Sequence, residues 1–494
     1  MKVLFIETWL HNPHIETAFE IAQSHLDCGD QVFFYFAGHD LAWKDGMTTG
    51  HQNLFRTDPD NLPERRLRGL FRNRNFIFKK RAKVLPRLSY SDSIPVTEDQ
   101  LVKIRYKESA IGLAALSSLI HELKWSKPDL KLYSKEIQLM LSSGMQSFDL
   151  ATRLIQKHLP DLVYVFNGRF VNTRSIMEAA IATNTPYKIH ERGCNMYHYS
   201  VRPFMPHDFE KLQNELIEHW YKVFNENPEC ARDIAHNFFK SRRQGKQQAW
   251  FSMTKDQDKG CLPEINTEKK IVTYFTSSDD EYKAVGDIVK WNRWKDQDHC
   301  LRDIVDICTS DNRLQLIVRI HPHMQSKHPS DLQAILSICK NYPGIILIYP
   351  DSPVDSYALI DSSDVVVTSM STIGIESVYW GTPSICMGPS YYSNLNAVML
   401  PQDKAQLQTL LRETTRPNVD PSRALPFGYY MNTFGQKFKY YQPTALQYGA
   451  YMGIDVQSPP PQKIHKKILA RVNAKGISIA RKAKSIAFSK RRFG

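Results

Sequence analysis

Short apolar runs recur along the chain. Each is followed by a polar turn and then by a stretch whose apolar positions repeat at helical spacing. KVLFI at 2–6 is the first, followed by Glu7-Thr8-Trp9 and the loop His11-Asn12-Pro13-His14. Ala18, Ile21, Ala22 and Leu26 then share one helical face, Cys28-Gly29-Asp30 ends it, and Val32 to Phe36 predicts a second buried strand. The unit recurs at LVYVFNG (162–168), a helix around 173–183, and YKIH (187–190), which runs into Glu191-Arg192-Gly193. Strands without polar alternation, joined through helices, predict a parallel sheet covered on both faces. No G-x-G-x-x-G follows the first strand, so the dinucleotide fingerprint is absent.

Between these units, residues 40–95 read as irregular and basic. Residues 97–158 read as helical with an interruption at Pro128, and 208–246 read as helical. Residues 253–269 (MTKDQDKGCLPEINTEK) are polar, contain Pro and Gly, and predict a linker. A second series of strands follows: KIVTYF (270–275), LQLIVRI (314–320), GIILIYP (344–350), DVVVTS (364–369) and SICMG (384–388). Helices are expected near 330–340, 356–362 and 371–380. The expected fold is α/β, with two Rossmann-like doubly wound domains facing a central cleft and helical insertions in the first. The expected boundaries are 1–252 for the first domain, 253–269 for the linker and 270–400 for the second domain. An aromatic-rich region at 401–458, able to cross back to the first domain, and a basic amphipathic tail at 459–494 complete the chain.

Composition narrows the class. A chain of 494 residues with 42% hydrophobic and 11% aromatic residues is neither disordered nor fibrous. Its eight cysteines are scattered without a C-x-x-C pair, so neither a disulfide framework nor a zinc module is expected, and a reducing compartment is favoured. Arg65–Arg87 holds ten Lys/Arg and no acid, and Lys463–Arg492 holds eleven and no acid. Together they carry +21 of a net +13, leaving −8 for the rest of the chain. No apolar run reaches the ~18 residues of a spanning helix, and the start lacks a cleavable signal pattern. The expected location is the cytoplasm, peripheral on the inner face of the plasma membrane.

In a doubly wound domain, ligands bind beyond the carboxyl ends of the strands. In the second domain those positions are Thr276-Ser277-Ser278, then Arg319, His321 and His323, then Ser369, Ser371 and Thr372 ahead of a helix carrying Glu376. Small hydroxyl residues at a helix start suit phosphate, and nearby Arg and His would neutralise it. The set reads as a nucleotide or nucleotide-sugar site. Each member also has a plain structural reading, such as a helix cap or a core histidine. Asp279-Asp280 reads as a dipole-favouring pair at a helix start rather than a metal site.

RIHPH (319–323) followed by VVVTSMSTIGIESVYWGTPSICMG (365–388) resembles the C-terminal half of GT-B glycosyltransferases that build bacterial capsule and lipopolysaccharide. Capsule-synthesis enzymes, Kdo transferases, bacterial sialyltransferases and CDP-glycerol transferases are similar there, with an HP motif and a later Ser-Ser or Ser-Thr. The resemblance implies that His321, Ser371 and Thr372 hold the donor's nucleotide phosphate. It also implies a metal-independent reaction with no cofactor. The Asp/Glu-Asp-Gly acid motif of the sialyltransferases is absent.

The catalytic group is then expected at strand ends of the first domain, where an inverting enzyme needs a base and a retaining one a nucleophile. Glu191 ranks first, because Gly193 beside it allows close approach, with His11 and Glu7 as further candidates. His14, Arg169 and Arg192 are expected to support the acceptor. The expected partners are a nucleotide-sugar donor, a glycan or lipid-linked acceptor, and an anionic membrane surface met by Lys463–Arg492 and by Arg65–Arg87, rather than nucleic acid. Alternative readings are a CDP-glycerol or ribitol-phosphate transferase, a sugar-nucleotide 2-epimerase and a non-catalytic scaffold of a polysaccharide-assembly complex.

Overall fold

The computed structural model describes residues 1–9, 13–37, 41–45, 70, 73–79, 88–246, 252–291, 293–413, 419–446 and 448–456. His11, most of Arg65–Arg87 and all of Lys463–Arg492 lie outside the described residues. Among those described, no helix is long and apolar enough to cross a membrane.

The first sheet is built from β1 (Lys2–Glu7), β2 (Gln31–Phe36), β3 (Phe76–Lys79), β4 (Leu162–Phe166), β5 (Tyr187–Arg192) and β6 (His198–Arg202). From β3 the order runs 3-2-1-4-5-6, parallel through β5 and antiparallel at β6. Helix α1 (His14–Asp27) covers one face. Helices α3 (Ser134–His158) and α4 (Val171–Ala182) cover the other, with α2 (Ile111–Leu123) packed outside them. The strands are apolar throughout because both faces are covered: Val3, Leu4 and Phe5 are all fully buried.

The second sheet comprises β7 (Lys270–Phe275), β8 (Leu314–Arg319), β9 (Ile346–Ile348), β10 (Val365–Thr368) and β11 (Ser384–Cys386). All five strands are parallel, in the order 9-8-7-10-11. Each sheet therefore reverses direction once, between β1 and β4 in the first and between β7 and β10 in the second. Those reversals are where doubly wound sheets open a ligand crevice.

Three features depart from the sequence reading. Residues 208–246 form two helices, α5 (Phe209–Glu226) and α6 (Pro228–Arg243), because Asn227 caps the second through the Cys230 N–H and Pro228 opens it. These helices, assigned by sequence to the first domain, share a core with the second. Leu216, Phe238 and Phe239 pack with Ile375, Val378 and Tyr392. The basic stretch 40–95 is not wholly irregular either, since Phe76–Lys79 adds β3 at the sheet edge.

The chain after residue 400 returns to the first sheet. Helix α12 (Leu425–Thr433) packs on α6, and β12 (Gln436–Lys437) pairs antiparallel with β6. Beyond it, the Glu20 carboxylate on α1 accepts the backbone N–H groups of Lys439 (2.6 Å), Tyr440 (2.9 Å) and Tyr441 (2.9 Å). A small antiparallel sheet, β13 (Tyr441–Ala445), β14 (Tyr448–Tyr451) and β15 (Ile454–Val456), closes over α1, with Tyr451 donating to the Phe19 carbonyl at 3.0 Å.

Candidate active site

In the first domain, the ends of β1, β4 and β5 meet the start of α1. Glu191, at the end of β5, has one carboxylate oxygen 3.4 Å from His14 Nδ1 and accepts from Asn167 Nδ2 at 2.6 Å with the other. The Arg192 backbone N–H also donates to it at 3.0 Å. Asn167 and Gly168 turn the chain after β4 with positive φ (56° and 83°), a conformation Asn and Gly tolerate best. Glu191 keeps a fifth of its side chain open to solvent. A carboxylate that is oriented by neighbours yet still reachable suits a base or nucleophile.

A second acid–imidazole pair lies beneath. Glu7 Oε1 and His190 Nε2 are 3.2 Å apart, and both residues are almost wholly buried. The Phe166 ring lies near both imidazoles, 4.3 Å from His14 and 5.7 Å from His190 between centroids. Glu7, a candidate for catalysis by sequence, thus holds His190 in the interior rather than facing the cleft. Gly193 also has a different role from the one expected. A Cβ there would meet His198 backbone atoms at 2.7–2.9 Å, so the glycine closes the β5–β6 hairpin rather than admitting a ligand.

Arg169 and Arg192 are set among other groups of the fold. The Arg169 guanidinium donates to the Glu281 carbonyl of the second domain (3.0 Å) and to His121 Nδ1 (3.2 Å), and lies over the Phe170 ring. It bridges the domains. The Arg192 guanidinium is buried near Glu191, Tyr441 and Glu281, and that burial holds its pKa below the ordinary arginine value.

In the second domain, the strand-end residues divide into two sets. Thr276 and Ser277 follow β7, and Ser369 follows β10; all three are buried and bond inward. Thr276 Oγ1 accepts the His321 N–H at 2.9 Å. Gln297, which opens α7 (Gln297–Ser310), takes the Ser277 N–H and the Ser369 hydroxyl on its side-chain oxygen. Arg319 is a further correction. Its guanidinium donates to the Tyr349 and Ser352 carbonyls beyond β9, because the last residue of a strand keeps the strand's alternation and here points away from the crevice. Glu376, on α10 (Ile373–Tyr379), is fully buried and bonded to Arg242 (3.0 Å), Tyr357 (2.5 Å) and Thr372 (3.0 Å). Its carboxylate is committed to the core.

The other set is partly exposed. It comprises Ser278, His321, His323 and Ser371, with Thr372 at its edge, tied to Glu376. His321 Nδ1 accepts the His323 backbone N–H at 3.1 Å, which leaves the ring proton on Nε2. Burial, with His323, Arg319, Lys327 and Arg242 around it, lowers the His321 pKa to about 3. The ring is therefore a neutral hydrogen-bond donor at physiological pH in the ligand-free chain. Ser278 Oγ reaches Asp280 at 3.0 Å and His323 Nδ1 at 3.5 Å, and Asp280 forms a buried ion pair with Lys327 at 2.6 Å.

A cavity of about 200 Å³ opens beside this set, between the domains, lined by Trp125 and Ser126 on one side and by Ser278, Gln297, Met324 and Lys327 on the other. Asn167, His190, Gln297 and Lys327 are site or supporting residues that the sequence reading passed over. The Asn-Gly turn after a strand was the only local signal, and it concerned Asn167 alone. Among the described residues, no group of three or more His, Cys, Asp or Glu could hold a metal ion.

No family model matches the sequence, and no curated protein matches it. Solved structures do. The KpsC β-Kdo 2,4-transferase of Thermosulfurimonas dismutans is 15% identical, covering 55% of this chain and 79% of its own, with a TM-score of 0.35. The UDP-GlcNAc 2-epimerase of Neisseria meningitidis, bound to UDP-GlcNAc, is 11% identical over 87% of this chain and 97% of its own (TM-score 0.27). The sucrose-phosphate synthase of Thermosynechococcus elongatus is 12% identical over 87% and 93% (TM-score 0.27). At these scores the likeness is distant, and the reading of the site rests on its residues. By its own topology, the chain has two Rossmann-like domains that meet through Arg169 and the Glu281 carbonyl and around the cavity beside Ser278, which is the GT-B arrangement.

Proposed function

We propose that the chain is a glycosyltransferase that moves a sugar from a nucleotide donor to a glycan or lipid-linked acceptor in surface polysaccharide synthesis. The observation that carries this is one polar, partly open group at the strand ends of each Rossmann-like domain, which the reading places on opposite sides of the cleft. A hydrogen-bond-donor set (Ser278, His321, His323, Ser371) lies in the second domain, and a partly open carboxylate oriented by His14 and Asn167 lies in the first.

The chemistry follows from that placement. Glu191 takes the proton of the acceptor hydroxyl as it attacks the anomeric carbon, or attacks that carbon itself in a double displacement. The neutral His321 donates Nε2–H to the leaving phosphate, whose charge grows as the glycosidic bond breaks. The basic segments Arg65–Arg87 and Lys463–Arg492 would hold the enzyme on an anionic membrane from the cytoplasmic side, where a lipid-linked acceptor is presented. The test is a transfer assay with a panel of labelled sugar nucleotides and lipid-linked acceptors. Turnover in the wild type and its loss in Glu191→Gln support the reading. Nucleotide binding without transfer to any acceptor would favour the scaffold reading instead.

A further inference from the structure

One segment of the first domain is fastened to the second. The His328 N–H donates to the Lys124 carbonyl at 2.8 Å, and the Trp125 and His328 rings stack at 4.0 Å. Ser126 donates to Asp331 through its N–H (3.0 Å) and hydroxyl (2.8 Å), and Lys127 pairs with Asp298 at 2.5 Å. Lys283 of the second domain closes the clasp on the Ser126 carbonyl.

Lys124 opens this clasp, and among the described residues its ammonium makes no ion pair with a carboxylate. Its hydrogen bond among the described residues goes to His121 Nδ1, at 3.4 Å, the same nitrogen that Arg169 meets at 3.2 Å. Two cations thus converge on one imidazole nitrogen. Its other charged neighbours are Lys327, Asp280, which is already paired with Lys327, and the exposed Glu281. Arg169 is itself only 3% exposed, and its buried Nε has no hydrogen-bond partner among the described residues. Burial and the nearby Lys327 and Arg169 charges lower the Lys124 pKa. Of the three cations only Lys327 has a carboxylate in ion-pair contact among the described residues, and partly buried cations without one are costly unless a ligand supplies the charge.

We propose that Lys124, flanked by Arg169 and Lys327, forms an anion subsite shared by the two domains, and that a phosphate of the nucleotide donor fills it. This rests on the donor reading above. The set adds a first-domain contact to a ligand held otherwise by the second domain. The clasp at 124–127 keeps that contact in reach only while the domains are closed, so donor phosphate and closure reinforce each other.

Lys124 has positive φ (52°) as the last residue of α2's turn, and glutamine there carries the same backbone demand as lysine. Calorimetry on the full chain, with wild type, Lys124→Gln and Lys124→Arg, uses a nucleoside, its diphosphate and inorganic pyrophosphate as probes. The expected result is an affinity for the diphosphate and pyrophosphate about tenfold lower in Lys124→Gln, substantially restored in Lys124→Arg, with nucleoside affinity unchanged. Equal diphosphate and pyrophosphate affinity in wild type and Lys124→Gln, with matching thermal unfolding, overturns the subsite and leaves the donor reading standing. Lysine-dependent pyrophosphate binding without any nucleotide binding overturns the donor reading and leaves an anion site. No binding of any probe to the wild type overturns both.

Discussion

His14 Nδ1 and Glu191 Oε1 lie 3.4 Å apart, joining the first turn of α1 to the end of β5 across the end of β4. The pair gives Glu191 a fixed orientation one strand away from the sheet's reversal point without enclosing it. Asn167 fixes the other oxygen. This is the geometry expected of a group that must accept a proton or attack a carbon at one defined position.

Replacing Glu191 by glutamine keeps its shape and removes its basicity. Transfer should fall by roughly 10²–10⁴-fold, the usual contribution of a positioned base, while nucleotide affinity stays within about twofold of wild type. Steady-state kinetics and calorimetry on the same preparation check both halves.

His321 should contribute to nucleotide affinity without a titration of its own between pH 6 and 8, because its pKa lies near 3 in the folded chain. The affinity difference between wild type and His321→Gln should therefore stay constant over that range. Stability should respond in the opposite sense to that of a histidine gaining an acidic partner. Below the ordinary value of 6.5 the unfolded chain binds a proton that the folded chain refuses until about pH 3, so this residue lowers stability as pH falls through that window. Denaturant titrations of wild type and His321→Gln at pH 7 and pH 5 should show the variant losing less on acidification.

Asp45 is buried among Ser118 (2.7 Å) and Asn172 (3.1 Å), and burial raises its pKa from 3.8 to about 6. A raised carboxylate favours folding below the unfolded pKa, and that advantage fades as pH rises through the folded pKa. From pH 4 to pH 7 the stability of Asp45→Asn relative to wild type should rise by about 2–3 kcal/mol. Denaturant melts at the two pH values measure the change directly.

The three backbone N–H groups of Lys439, Tyr440 and Tyr441 depend on one carboxylate, Glu20. Glu20→Ala should cost about 2–4 kcal/mol, since donors left unpaired lose more than the net worth of their bonds. Hydrogen exchange should rise across 436–456 and hardly change in β7–β11. A uniform change over the whole chain would contradict a local anchoring role.

The strands of both sheets were legible because they are covered on both faces. KVLFIE and KIVTYF carry no polar alternation, and only a parallel α/β core accommodates such runs. The basic flanks of FIFK hid β3, and β12 is two residues long and exists only through its pairing with β6. The site was legible by position rather than by role. Strand ends picked out Glu191, His321 and Ser278, which are partly exposed, but sequence cannot show which way an end residue turns. Arg319 and Glu376 turned inward, and Glu7 went to His190. The residues that were missed, Asn167, His190, Gln297 and Lys327, act through partners 20 to 183 positions away.

Binding of CMP, CDP, UDP and GDP to the purified chain, by calorimetry with His321→Ala in parallel, tests the central claim most directly. The account predicts that one nucleotide binds selectively and that His321→Ala weakens it at least tenfold with the fold intact. CMP would indicate a sugar-acid donor, CDP a glycerol- or ribitol-phosphate donor, and UDP or GDP a hexose donor. Absence of binding by all four, or equal binding by the His321→Ala variant, would contradict the assignment of the second domain as the donor site.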